Sequence, residues 1–343
     1  MLYGIAAATS ALLLSAVLAA LLRAPALRLG LTDRRRQRKV PLAGGVAVVG
    51  VTVLVVVVGD RSGVAPLGDG IGRLVGAAAG VAVLGLLADV WRVKPRVLVV
   101  GTAVAAAFVV PYEETGLAGG VLAVGWIVFV ALGFRALDHA DGLAGGVGIV
   151  TAFGGGLCAA AEVMDGPAVV LSVLAASLAG FLMHNWPPAR VGLGSCGSLF
   201  AGFLPAAVVV TARAGYGLAD SAAVLVSLTL LVGADVLLVL LSRRFVRGVR
   251  RRGGPDHLGH RLRQVGVTPQ GIVVVLGAGA FSGVLVAVLV HLGTIAASGA
   301  LWGVGGVLVA VFALLRIKPG IKPSSTPRPT SPQVGAQLRV RNG

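Results

Sequence analysis

Long apolar runs alternate with short polar breaks along the whole chain. The runs lie at 3–22, 42–59, 74–88, 97–112, 118–134, 142–164, 167–185, 197–212, 221–242, 270–291 and 298–315. Each reaches or approaches the roughly 20 residues that a helix needs to cross the hydrocarbon core of a bilayer. The pattern predicts an all-α polytopic membrane protein with about eleven transmembrane helices. The first run has no basic segment before it, and a basic cluster follows it, so it reads as a span rather than a signal peptide.

Composition sharpens this picture. Only 12% of the 343 residues are charged, about half the share of a soluble domain. The 52 glycines and few aromatics suit helices that approach one another through small residues. Cys158 and Cys196 fall in or beside apolar runs and read as small buried residues, not a disulfide framework.

The net charge of +16 on its own would fit a nucleic-acid partner, but its distribution excludes one. With eleven spans, all 29 Lys and Arg except Arg61, Arg73 and Arg213 fall on one side. The positive-inside rule makes that side cytoplasmic, with the N-terminus outside and the C-terminus inside. Residues 1–317 then form one membrane-embedded domain. Residues 318–343, rich in Pro, Ser and basic residues, read as a disordered cytoplasmic tail lying on an anionic inner leaflet. The longest polar loop, 243–269, is also cytoplasmic.

Acids are scarce on the cytoplasmic side. They are Asp33, Asp89, Asp138, Asp141 and Asp256, with Asp235 inside the ninth run; His257 and His260 stand in the long basic loop. Carboxylates, imidazoles and arginines on one membrane face suit an anionic, phosphorylated substrate held with a divalent metal. Asp89, at the end of a span, serves equally well as a simple helix cap or solvated charge. Asp235 does not, because an ionisable group inside a span marks a functional site by default.

Six stretches carry a resemblance. They are "LTDRRRQRKVPLAGG" (31–45), "GLLADVWRVKPR" (85–96), "RALDHADGLAGG" (135–146), "FLMHNWPPARVGLGSCGSLFAGF" (181–203), "GADVLLVLLSRR" (233–244) and "DHLGHRLRQVGVTP" (256–269). In this order, and all on the cytoplasmic side, they resemble the loops of the polyprenyl-phosphate N-acetylhexosamine-1-phosphate transferases. That family includes the phospho-N-acetylmuramoyl-pentapeptide translocase and enzymes that place GlcNAc-1-phosphate on a lipid carrier. The resemblance implies transfer of a sugar-1-phosphate from a UDP-amino sugar to polyprenyl phosphate at the plasma membrane, in cell-envelope synthesis, with UMP leaving. It implies Mg2+ across the diphosphate. It assigns catalysis to Asp89, Asp138 and Asp141, and metal ligation to Asp138 and Asp141. Substrate binding falls to Asn185, His257, His260, Arg261, Asp235 and Lys39, and a homodimer is the oligomeric expectation.

The match departs from the family pattern at chemically central positions. Ala88 stands where the first Asp of a pair belongs, and Ser195 where the family has a metal-binding Asp. Arg135 replaces an Asn, His139 a Gly, and Gly259 the middle His of the His loop. Arg135 can in part take over a cation's work in holding an anion. Two readings follow: a transferase with altered metal or substrate use, or a relative that binds polyprenyl phosphate or a nucleotide sugar, or scaffolds envelope assembly, without transfer. A transporter would be expected to show an inverted repeat, which the sequence lacks.

Overall fold

The computed structural model of the chain describes residues 2–33, 40–63, 67–68, 70–91, 93–245 and 257–316. The expected tail, Lys39 and Asp256 lie outside these residues. Thirteen helices account for nearly all of the described chain, and the one β-bridge there pairs Thr32 with Pro41.

Ten of the eleven apolar runs fall mainly on one helix each, and the ninth on two. The first three are α1 (Leu2–Arg28), α2 (Gly44–Arg61) and α3 (Ile71–Val90). A short α4 (Pro95–Val109) starts on a proline, which gives up no helical hydrogen bond at that position. Then come α5 (Tyr112–Leu137), α6 (Leu143–Ala161), α7 (Asp165–Asn185) and α8 (Gly194–Ala212). The ninth run is split into α9 (Leu218–Leu228) and α10 (Leu230–Phe245), which meet at 78°. The small α11 (Leu258–Gln264) precedes α12 (Pro269–His291) and α13 (Gly299–Arg316). Among the described residues nine helices are long and apolar enough to cross a membrane, and the bent α9–α10 pair makes a tenth. At 15 residues, α4 is shorter than a usual span.

The outer surface is apolar. Leu21, Val104, Phe108, Met183, Trp302 and Val309 are all exposed, as expected where lipid rather than water is the solvent.

The core is organised around α8. All of its 19 residues but Thr211 are buried, and it packs against α2, α3, α5 and α6. A helix apolar all round belongs in the middle of such a bundle. Small residues let its neighbours approach. A Cβ on Gly45 of α2 would run into the backbone of Gly197, and one on Gly85 of α3 into that of Ser195. Gly202 stands equally close to Ala131 of α5. Dispersion across such close backbones is the main force joining helices in lipid.

Candidate functional site

The first turn of α8 leaves backbone N–H groups that the helix cannot satisfy. No side chain of α8 caps them. Acids from two other helices do. Asp89, in the last turn of α3, accepts from Ser195 N through Oδ1 at 3.0 Å and from Cys196 N through Oδ2 at 3.1 Å. Asp138, just past α5, accepts from Gly194 N at 3.0 Å. Carboxylates here are favoured both by the hydrogen bonds and by the positive end of the helix dipole.

Arg135, in the last turn of α5, donates its Nε–H to Ser195 Oγ at 2.9 Å. Ser195 in turn hydrogen-bonds the Asp89 side chain. A guanidinium, a hydroxyl and a carboxylate from α5, α8 and α3 thus form one chain of contacts across the mouth of α8.

The turn 138–142 is pinned from behind. Asp141 Oδ2 accepts from Ala189 N at 3.0 Å. Asn185, at the end of α7, accepts from Gly142 N and donates to Val191 O, both at 2.8 Å. Its side chain is 2% exposed, so the amide expected to bind substrate is spent on holding the 138–142 turn and the 186–193 loop together.

A second cluster lies beside the turn. Asp235 of α10 is 1% exposed. It accepts from His257 Nδ1 and from Leu258 N, both at 2.8 Å. His139 stacks on His257 with ring centroids 4.0 Å apart and planes 15° from parallel. His139 Nδ1 lies 2.9 Å from Ala136 O. Arg261 is buried and reaches Leu314 O of α13 at 3.4 Å. His260 points outward and is exposed.

The structure therefore gathers Asp89, Asp138, Asp141 and Asn185 around one helix mouth, and Asp235 and His257 beside the adjacent turn, while Arg261 reaches α13. Lys39 lies outside the described residues. The sequence reading missed a polar cluster at the opposite ends of the same helices. There Arg213 stacks 3.8 Å over Tyr216 and bonds His291 at 3.3 Å, and Tyr216 donates to Glu162 at 2.6 Å. The available signal was an Arg and a His, each closing an apolar run. A cavity of about 930 Å³ also opens at that end, among Arg73, Glu113, Glu114 and Asp165, far from the mouth of α8.

The implied magnesium can be tested against the donor set. Mg2+ takes hard oxygen ligands in a near-octahedral array, usually with one or two carboxylates. Ser195 offers a neutral hydroxyl already bound by a guanidinium, and both Asp89 oxygens hold backbone amides. A fixed cation in contact with the ligand position opposes a second one. The residues at position 195 do not fit the ion. Among the described residues, the one group of three side chains whose donor atoms lie within 4.8 Å of one another is His139, Asp235 and His257.

Fold and site together define a polytopic helical membrane protein with a polar site at one end of a buried helix. The chain belongs to glycosyl transferase family 4, whose sequence model matches residues 72–213. A Streptomyces coelicolor protein, whose glycosyltransferase name is provisional, is 61% identical over 92% of this chain and 78% of its own length. The decaprenyl-phosphate N-acetylglucosaminephosphotransferase of Mycobacterium leprae is 34% identical over 41% of this chain and 40% of its own. A Bacillus subtilis protein, named as an undecaprenyl-phosphate N-acetylglucosaminyl 1-phosphate transferase, is 29% identical over 52% of this chain and 54% of its own. The family match takes in Asp89, the 135–146 turn and the start of α8, and stops short of Asp235 and His257.

Proposed function

We propose that this chain moves an N-acetylhexosamine-1-phosphate from a UDP-sugar to polyprenyl phosphate at the cytoplasmic face of the plasma membrane. An oxygen of the lipid phosphate attacks the sugar-bearing phosphorus. The bridging P–O bond of the diphosphate breaks and UMP leaves. The observation that carries this reading is the convergence of Asp89, Arg135, Asp138 and Ser195 on the mouth of α8. The names of the relatives support it.

Arg135 provides fixed positive charge at Ser195, the one position of the donor set that does not fit magnesium. Arginine suits this place because its planar fork stays charged and pairs with phosphate oxygens. An apolar groove runs beside the bend of the ninth span, lined by Trp126, Phe129, Leu230, Gly233, Leu237 and Leu308. It suits the prenyl chain of the acceptor. The cytoplasmic placement rests on the sorting of Lys and Arg by side.

The test supplies the purified full-length protein with undecaprenyl or decaprenyl phosphate and labelled UDP-GlcNAc or a related UDP-amino sugar, with magnesium or with chelator. Lipid-linked diphospho-sugar and UMP are expected in both conditions. The same assay separates a second reading, in which ligands bind without transfer. Binding of both substrates with no product from any donor selects that reading. The double variant Arg135→Asn, Ser195→Asp is expected to acquire a magnesium requirement, measured as Mg2+ binding and as stimulation of transfer.

A further inference from the structure

His291 closes α12 at the end of the bundle away from the mouth of α8, and it is 8% exposed. Two neighbours fix where its proton sits. A guanidinium can only donate, so His291 Nδ1 accepts from Arg213 at 3.3 Å. A peptide carbonyl can only accept, so Nε2 carries the hydrogen and gives it to Cys158 O at 3.0 Å. Glu162 Oε1 stands 3.3 Å from the same Nε2. One neutral imidazole thus joins the ends of α6, α8 and α12.

That join requires the neutral ring. A second proton enters at Nδ1, the atom that faces Arg213. The bond to the guanidinium is then lost, and two cations stand where one stood. Little else holds Arg213. Its Nε is buried without an acceptor, and among the described residues no carboxylate lies within ion-pair distance of it. Its other contact is the face of Tyr216, 3.8 Å away. Glu162 stays with His291 and accepts from the Tyr216 hydroxyl.

No further titratable group offsets the added charge. α12 carries none besides His291, and none lies between Leu292 and Leu315. The ring meets Glu162 and Cys158 from α6 and Arg213 from α8. From the turn before α9 it meets Tyr216, with ring centroids 6.2 Å apart. Asp220 of α9 is exposed. The charged residues of α10 and α11 lie at the other end, with Asp235 and His257.

We propose that His291 is an acid-opened latch at the end of the molecule opposite the transferase site. Neutral, it ties α8 to α6 and α12. Protonated, it stays with Glu162, releases Arg213 and lets the ends of α8 and α12 part. The sorting of Lys and Arg predicts this end to be the outer one. The inference goes beyond the transferase reading and stands without it.

The experiment follows the two native cysteines of the full-length protein in detergent, at about pH 7.5 and at about pH 5.5. Across this range an ordinary imidazole takes up its proton and an ordinary glutamate keeps its charge. The probe is an aromatic disulfide that reacts with thiols in acid, and the labelled cysteine is located by peptide mass. Cys158 is 0% exposed, and Arg213 lies close enough to its thiol to act on it. Acid is expected to raise the labelling of Cys158 severalfold. Cys196, at the mouth of α8, is the internal control for general loosening. In Arg213→Gln the amide can donate to the neutral ring or accept from the protonated one. This variant is expected to melt close to the wild type at neutral pH and to show no acid step at Cys158. His291→Gln has no proton to gain, so the step should vanish there too. The absence of an acid step in the wild type overturns the proposal. So does a step matched at Cys196, or one that persists in either variant.

Discussion

At Gly194 the backbone takes φ 72°, and a Cβ built there would stand 2.7 Å from Asp89 Oδ2. Any side chain both strains the backbone and dislodges the carboxylate that caps α8. Gly194→Ala is therefore expected to cost about 1–3 kcal/mol, read as a fall in melting temperature, and to abolish transfer beyond what the lost stability explains. Asn185→Leu leaves a buried N–H and a buried carbonyl without their partners. Each such loss costs roughly 1–3 kcal/mol. The variant should melt well below the wild type, and its substrate affinity should fall because the 138–142 turn shifts. At the far end, the hydrogen bond to Glu162 raises Tyr216 above its ordinary 10.0, with desolvation adding to it. The raised value favours the protonated phenol. The stabilising contribution is thus present below pH 10 and lost as pH rises through the folded-state value. Glu162→Gln should let Tyr216 ionise at lower pH, followed by ultraviolet absorbance against Tyr216→Phe.

The helices themselves were legible in the chain because hydropathy needs only length and composition. All the apolar runs from 3–22 to 298–315 but one fall mainly on a single helix. Two features of these elements were not legible. The run 221–242 reads as one span, yet the chain turns through 78° between Leu228 and Leu230. Residue 229 is a threonine, not a proline or glycine, so no breaker signal marks the bend. The roles of the aspartates were hidden for a different reason. Asp89 and Asp138 stand out in sequence as candidate chemistry, but their bonds go to backbone amides, and a main-chain N–H has no sequence signature. Ser195 and Arg135 were visible as departures; their contact was not, because it joins helices sixty residues apart. The Gly45–Gly197 crossing is where element packing is most exposed to change. Gly45→Leu should separate α2 from α8 and inactivate the site without altering helix content, as judged by circular dichroism beside a transfer assay.

At the scale of the whole molecule, the sorting of Lys and Arg predicts a way up. Both native cysteines are buried, so a membrane-impermeant thiol reagent reads introduced ones alone. Ser62→Cys, in the loop after α2, should label on intact cells. Ser325→Cys, in the tail, should label only after permeabilisation. The reverse result inverts the proposed topology and takes the cytoplasmic site with it. The capping of α8 also bears on how the protein is made. Its first amides are bonded by Asp89 and Asp138, and both precede α8 in the chain. Synthesis runs from the N-terminus, so the partners are already in the bilayer when α8 emerges. Bare amides are costly there, and the order of the gene supplies their acceptors first. A circular permutant that begins at α8 reverses that order. It encodes the same contacts but has to wait for them, and its yield of assembled protein measures what chain order contributes.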